Sequence, residues 1–453
     1  MAEPIISISG VRGVVGETLG PEFVVRYAAA LGRWTGGGPV VLGYDGRVSG
    51  PMLVDAAKAG LVSAGCRVLY AGVAATPTIG VLVTEHGAAA GLQVSASHNP
   101  IEWNGLKPFG PFGGVLNAEQ GGRLLAKFRD AAKPSRPWGE LGRFDVLKNP
   151  GSVHIDRIVG RVDVEAVGGR APHVVLDCCH GAGAVATPRL LEKLGCRMTR
   201  VGWPPNGRFE RDPEPLAKNL AATCAVVRDS DADVGFVQDP DADRLAVIDG
   251  DGRYIGEELT LALVLDELLP EIETPVVVNG STSRVNADVA ARHGRAFHRS
   301  AVGEANVVAK MREVGSKLGG EGNGGVIDLR IGPVRDSLFG IAVILQGLAR
   351  RGGSLAEWVA TLPSYAIVKQ KFPCDRTRLD AVLDAVTAKF ADGAAARGDG
   401  LRVDWPDRWV QVRASNTEPV VRVIAEAPQE TEAAALAAAA GEIVTAVGGP
   451  VGV

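Results

Sequence analysis

Three times along the chain, an unbroken run of apolar and β-branched residues ends abruptly in glycine and polar residues. These runs are VVLGYDGR from Val40, VVLDCCHGAG from Val174 and VVVNGSTS from Val276. Runs of this kind predict strands buried on both faces of a parallel sheet. Each is followed by an Ala/Leu-rich helical stretch and a second strand: GCRVLYAGV from Gly65, GCRMTRVGW from Gly195 and GRAFHRSAVG from Gly294. A third strand then runs into a loop: GLQVSASHNP from Gly91, VGFVQDPDADR from Val234 and SKLGGEGNGG from Ser316. The repeat predicts three α/β lobes of βαβ type.

The pattern changes near the C-terminus. YAIVKQKF from Tyr365, LRVDW from Leu401, WVQVRAS from Trp409 and VVRVIAEA from Val420 read as strands, with helices over 376–394 and 431–444. Short alternating strands interleaved with helices predict an α+β domain with an antiparallel sheet. The expected division is 1–148, 149–252 and 253–364 for the α/β lobes and 365–453 for the tail. The predicted fold class is therefore α/β: three similar lobes with mixed, largely parallel sheets, plus a C-terminal α+β domain, around one central cleft. Ligands of such sheets bind beyond the carboxyl ends of the strands. Ser97, the carboxylates Asp239, Asp241 and Asp243, and Glu321 stand at corresponding strand ends, so three lobes can aim three loops into one cleft.

Composition narrows the function. The 453 residues are 46% hydrophobic and 22% charged, ordinary for a globular protein of several domains. The net charge is −4 with no long single-sign run, and the seven Trp and five Tyr form no stacking stripe, so neither a nucleic-acid nor an anionic-membrane footprint is present. No apolar run approaches the ~18 residues of a membrane span, and MAEPIISISGVRG lacks a leader's basic and apolar regions. The six cysteines have no CxxC spacing, as expected of free thiols in a reducing cytoplasm. His86, His154, His173, His180, His293 and His298 show no metal-ligand spacing and read as surface or satisfied core residues. Glycine is abundant, 59 residues against an ordinary ~7%, and clusters after Val-rich runs, as in loops that let backbone approach a ligand.

Four loops can carry chemistry. In SASHNP, Ser97 beside His98, with Lys107 ten residues on, suits a nucleophile with a proton-transfer partner; an ordinary polar turn accounts for the same letters. In DPDADR, the alternating Asp239, Asp241 and Asp243 repel one another unless a cation sits among them, and hard oxygen ligands suit Mg2+. An EF-hand does not fit, since its sixth position is Arg244 and its twelfth Gly250. GGEGNGG offers Glu321 and Asn323 to sugar hydroxyls or forms a plain hairpin. RASNTEPVVR offers Arg413, Ser415, Asn416, Thr417 and Arg422 as a phosphate cradle or a solvated turn. Arg12, between glycines in SGVRGVVG, is an anion contact or a turn residue.

In order, SGVRG, GYDGR, SASHNP with NGLK, DPEPLAKNL, DPDADR, STSR, GGEGNGG, RDSLFG and RASNTEPVVR resemble the α-D-phosphohexomutase superfamily across nearly the whole chain. That family has three topologically similar α/β domains and a fourth unlike them. The resemblance implies that Ser97 carries a phosphoryl group and that Asp239, Asp241 and Asp243 hold Mg2+ together with it. It implies a hexose 1,6-bisphosphate as intermediate and activator, and a small-molecule sugar phosphate as substrate. Arg12, His98, Lys107 and Arg244 match residues lining the reacting centre, with Lys107 a candidate general acid/base. Glu321 and Asn323 match the sugar-selecting loop, and Arg413, Ser415, Asn416, Thr417 and Arg422 the distal phosphate site.

The sugar loop departs from the common Gly-Glu-x-Ser-Gly-His, with Asn323 and Gly325 in place of Ser and His. With SASHNP and EWNGLK, this is most similar to the phosphoglucosamine mutase branch; glucose or mannose phosphate is the alternative substrate. Arg211 stands where many relatives have His. A cytoplasmic monomer or homodimer is expected. Two other classes compete: a haloacid dehalogenase-like phosphatase using Asp239 as nucleophile, although Ala242-Asp243-Arg244 lacks its Gly-Thr, and a catalytically silent sugar-phosphate sensor.

Overall fold

Lobe one is built on β1 (Ile5–Ser7), β2 (Gly10–Val14), β3 (Val40–Tyr44), β4 (Arg67–Val73), β5 (Ala90–Val94), β6 (Trp103–Phe109) and β7 (Arg143–Val146), in the order β1-β2-β6-β5-β3-β4-β7. Lobe two has β8 (His173–Asp177), β9 (Arg197–Val201), β10 (Val234–Gln238) and β11 (Leu245–Asp249), ordered β11-β10-β8-β9. Lobe three has β12 (Val276–Asn279), β13 (Phe297–Ser300), β14 (Leu318–Glu321) and β15 (Gly325–Asp328), ordered β13-β12-β14-β15. This computed structural model describes residues 3–7, 10–130, 135–415 and 420–449.

The same unit recurs in all three lobes: β6-β5-β3-β4, β11-β10-β8-β9 and β15-β14-β12-β13. The first three strands of each unit are parallel, as their apolar runs predict. The fourth, which the sequence pattern did not disclose, returns antiparallel to the third. Its consequence is functional: each chemistry-bearing loop is held at both ends by paired strands.

Core packing divides the lobes unequally. Helix Ser337–Arg351 is buried over its first twelve residues and lies in one apolar core with Phe236, Val247, Leu190 and Ile158 of lobe two. Lobe one keeps its own core around β3 and the helices Pro21–Trp34 and Gly50–Ser63. Those helices cross closely because Gly60 faces the Val25 carbonyl, where a Cβ would come within 2.3 Å.

The C-terminal domain has β16 (Ala366–Pro373), β17 (Ala394–Gly398), β18 (Gly400–Asp404), β19 (Trp409–Ala414) and β20 (Val420–Ala427), all antiparallel in the order β16-β20-β19-β18-β17. Helices Leu379–Lys389 and Glu430–Val447 pack on it. The helix expected over 376–394 is shorter, because Ala394–Gly398 forms the exposed edge strand β17, whose small residues carry no alternation. Polar groups attach this domain to lobe three: Arg402 Nη1 donates to the Gly280 carbonyl at 2.5 Å, and Arg284 N–H to Glu426 Oε1 at 2.9 Å. Among the described residues, no helix is long and apolar enough to cross a membrane.

Candidate active site

β5 delivers the chain to Ser95-Ala96-Ser97, and Ser97 takes a left-handed backbone with φ 53°. A non-glycine residue keeps that conformation only where its surroundings over-determine it. Here the surroundings are Asp45 and Arg47. Ser97 N–H donates to Ser95 Oγ at 2.8 Å, and Ser95 Oγ donates to Asp45 Oδ2 at 2.7 Å. The buried Arg47 guanidinium binds Asp45 and donates to the carbonyls of Ser97, Asn99, Pro100 and Trp103 at 2.7–2.9 Å. Arg12 donates to Asn99 Oδ1 at 2.9 Å.

Across the lobe boundary, Ser97 Oγ donates to Asp239 Oδ2 at 2.9 Å. His98 Nδ1 lies 3.3 Å from the same Oγ. Arg244, burial and Arg12 hold the His98 imidazole well below its ordinary pKa, so it is neutral near pH 7. Glu214 Oε1 stands near both, 4.0 Å from His98 Nε2 and 3.9 Å from Arg244 Nη1.

The carboxylate loop connects β10 to β11. Asp239 Oδ1 accepts the N–H groups of Asp243 and Arg244, each at 3.1 Å. Asp241 Oδ2 accepts from Thr76 Oγ1 and Lys107 Nζ, both at 2.6 Å. Asp243 Oδ2 accepts from Lys107 Nζ at 3.0 Å and Arg335 Nη2 at 2.7 Å. Burial followed by the two neighbouring carboxylates pushes the Asp239 carboxyl well up. For Asp241 burial is outweighed by Lys107 and Thr76, and for Asp243 by Arg335 and Lys107, so both stay below the ordinary range. Lys107, against burial, is held above its usual value by Asp241 and Asp243 and is protonated.

A hard divalent cation fits this loop. The Oδ1 atoms of Asp241 and Asp243 are buried without a hydrogen-bond partner, and the three carboxylates each offer an oxygen within 4.8 Å of the others. Such an all-oxygen donor set suits Mg2+.

Glu321 ends β14 and accepts from Asn279 Nδ2 at 2.8 Å and Arg335 Nη1 at 2.7 Å. Arg335 thus joins the carboxylate loop to the sugar-loop candidate. Its own N–H donates to Glu304 Oε1 at 2.7 Å, and burial raises the Glu304 carboxyl to about 7. Asn323 Oδ1 is buried with no partner. Gly324, at φ 79°, lets the hairpin reach lobe two: its carbonyl accepts Leu245 N–H at 3.0 Å, and a Cβ there would come within 2.2 Å of the Leu245 oxygen.

In the C-terminal domain, Arg413 and Arg422 are register partners on β19 and β20, and Lys371 on β16 is the next partner of Arg422. Arg413 Nε lies 3.2 Å from Asp399 Oδ2, which also accepts Val302 N–H at 2.9 Å. Ser415 is buried, its N–H bonded to the Val420 carbonyl at 2.8 Å. Asn416 and Thr417 lie outside the described residues.

Ser97, His98, Lys107, Arg12, Arg244 and the three aspartates therefore converge, and Glu321 joins them through Arg335. Sequence reading assigned no role to Asp45, Arg47, Thr76, Glu304 or Arg335; GYDGR and RDSLFG were the signals available. Arg211 binds Asp177 at 2.8 Å and the Gln238 carbonyl at 3.0 Å, which ties the loop bearing Glu214 to the strand end before Asp239.

The phosphoglucomutase/phosphomannomutase alpha/beta/alpha domains I, II and III match residues 5–134, 152–252 and 257–365, and the C-terminal domain of that family matches 368–442. A phosphoglucomutase/phosphomannomutase of Thermococcus kodakarensis is 38% identical over 442 residues, 94% of each chain. A probable phosphoglucosamine mutase of Methanopyrus kandleri is 36% identical, again over 94% of each. The crystal structure of a phosphoglucomutase/phosphomannomutase family protein from Burkholderia thailandensis superposes with a TM-score of 0.85 at 28% identity, covering 98% of this chain and 97% of that one. With all four parts matched in order, the chain belongs to the phosphoglucomutase/phosphomannomutase family of the α-D-phosphohexomutase superfamily, isomerase-class enzymes that transfer a phosphoryl group within a sugar phosphate.

Proposed function

We propose that the chain interconverts hexose 6-phosphate and hexose 1-phosphate through phosphorylated Ser97 and a hexose 1,6-bisphosphate, with glucosamine phosphate the preferred substrate. The observation that carries this reading is the Ser97 hydroxyl, held on a left-handed backbone 2.9 Å from Asp239. In the first half-reaction a sugar hydroxyl oxygen attacks phosphorus and the P–Oγ bond to Ser97 breaks. The hydroxyl proton leaves the sugar, and a proton is returned to Oγ. The bisphosphate reorients, and the second half-reaction reverses these steps with the other phosphate.

Two groups are placed to move protons. Neutral His98 can accept one from the Ser97 hydroxyl, and Lys107, protonated at rest, can donate one. Asp239, Asp241, Asp243 and Ser97 would hold Mg2+, which offsets the charge of the phosphoryl oxygens when bound. Arg12 and Arg244 supply further positive charge at this end. Glu321 and Asn323 recognise sugar hydroxyls; the unpartnered Asn323 oxygen supports this. Arg413, Ser415, Asn416, Thr417 and Arg422 hold the distal phosphate, and the cation row across β16, β20 and β19 supports that reading. The lobes 1–148, 149–252 and 253–364 and the domain 365–453 carry these four parts. Closure of the cleft excludes water and protects the phosphoserine from hydrolysis.

Glucosamine is favoured by the Asn323/Gly325 variant of the sugar loop. The 38% identical relative named phosphoglucomutase/phosphomannomutase supports glucose or mannose phosphate as the second reading. Phosphorus NMR with Mg2+, a trace of hexose 1,6-bisphosphate and, separately, glucosamine, glucose and mannose 1-phosphate decides between them. The expected result is 6-phosphate without inorganic phosphate, fastest for glucosamine. Inorganic phosphate as the main product would replace this mechanism with hydrolysis at Asp239.

A further inference from the structure

His154, on helix Ser152–Val159 of lobe two, is fully buried where three lobes meet. Its Nδ1 lies 3.0 Å from Thr78 Oγ1 of lobe one, and its Nε2 lies 2.7 Å from Asp336 Oδ2 of lobe three. An ionised Asp336 only accepts, so Nε2 carries the proton. In the neutral ring Nδ1 then accepts from the Thr78 hydroxyl. Asp336 Oδ1 is committed to the Leu338 and Phe339 N–H groups that open helix Ser337–Arg351. All polar atoms of the imidazole are thus satisfied, each by a different lobe.

Both partners sit beside residues that grip the carboxylate loop. Two residues before Thr78, Thr76 takes Asp241 twice: its Oγ1 donates to Oδ2 at 2.6 Å and its N–H to the carbonyl at 2.9 Å. Immediately before Asp336, Arg335 donates to Asp243 Oδ2 at 2.7 Å. Immediately after it, Ser337 Oγ donates to the Ala242 carbonyl at 2.6 Å and accepts from Gln238 Nε2 at 2.7 Å. Two segments from different lobes therefore hold the same six-residue loop, 239–244, and one imidazole bonds to both.

We propose that His154 is a positioning residue, whose bonds to Thr78 and Asp336 set where Asp241 and Asp243 stand relative to Ser97. It touches neither substrate nor carboxylate loop and acts through Thr76, Arg335 and Ser337. A buried polar group in an apolar core is costly unless fully paired, and its best-attested return is a unique arrangement of the parts it joins. The inference rests on the reading that the three aspartates hold Mg2+.

The test uses full-length Thr78→Val and His154→Gln. Each cuts the bond to lobe one while leaving a donor, imidazole or amide, for Asp336. Thr78→Ser restores the hydroxyl, and Ile158→Ala weakens the same helix in the core without touching the network. Mg2+ affinity is measured by calorimetry, and kcat, KM and thermal midpoint on the same preparations. The expected result is a fall in Mg2+ affinity and in kcat of about tenfold, the lower end of what partners behind a metal ligand contribute. KM stays near the wild-type value, Thr78→Ser recovers both losses, and Ile158→Ala lowers the thermal midpoint alone. If Thr78→Val lowers the midpoint but binds Mg2+ and turns over like wild type, His154 is only a core residue and the inference is overturned. Thr78→Val decides this even if His154→Gln does not fold. A wild-type protein that binds no Mg2+ instead overturns the metal reading, and this inference falls with it.

Discussion

Ser97 Oγ donates a hydrogen bond to Asp239 Oδ2 at 2.9 Å across the boundary between two lobes, 142 residues apart in sequence. The Ser97 hydroxyl and the carboxylate loop thus share one buried point, at the ends of β5 and β10.

Ser97→Ala should abolish mutase turnover, by about a millionfold if it behaves as nucleophile removals do elsewhere, while circular dichroism stays native. Because residue 97 has φ 53°, Ser97→Gly should be equally inactive but more stable than Ser97→Ala by about 1 kcal/mol. Equal thermal midpoints for the two variants would show that the left-handed backbone stores no strain.

Lys107 is the ammonium that Asp241 and Asp243 share. Lys107→Met should cost about 3 kcal/mol in EDTA, because it leaves buried carboxylates without a partner. Mg2+ should recover much of that loss and raise the thermal midpoint more than it does in wild type. Turnover should stay low with Mg2+ present if Lys107 moves a proton.

Arg47→Lys is not conservative here. One ammonium cannot replace a guanidinium that binds Asp45 and four carbonyls of the Ser97 loop. A stability loss of about 3 kcal/mol is expected, together with slower labelling of Ser97 by hexose 1,6-bisphosphate, read by intact-protein mass.

Glu258 links lobe three to the C-terminal domain, accepting Ser283 N–H at 3.0 Å and Lys369 Nζ at 3.2 Å. Burial, opposed by Lys369, pushes its carboxyl up to about 7 from the ordinary 4.5. The folded state therefore binds this proton more tightly than the unfolded state. The associated stability is present below pH 4.5 and is lost as pH rises through about 7. Urea titrations should show wild type losing stability relative to Glu258→Gln between those values. Parallel pH profiles for the two proteins would remove Glu258 as the titrating group.

Much of the architecture was legible locally. Val40, Val174 and Val276 open apolar runs whose strand character depends on side-chain sterics and burial within a few residues, and the observed sheets repeat them. The carboxylate loop could be read because Asp239, Asp241 and Asp243 alternate beside one strand. The return strands β6, β11 and β15 were hidden: Pro108 interrupts the first, and the antiparallel pairing of the other two with β10 and β14 is a property of the folded sheet that no local pattern carries. Arg47 could not be recognised as the clamp on Ser97 because its loop partners lie 50 to 56 residues away.

Three repeated α/β units, a different fourth domain and the chemistry each loop can bring are encoded in local stretches of chain: a hydroxyl, three carboxylates, a glycine-lined acid and two arginines in RASNTEPVVR. Which charges neutralise which is set by how the lobes pack. Thr76 and Asp241 are 165 residues apart, and Arg335 and Asp243 are 92 apart, yet each pair is in hydrogen-bond contact. Secondary structure follows from steric and burial preferences of neighbouring residues. Protonation and pairing follow from through-space distance and desolvation, which exist only once the lobes have packed.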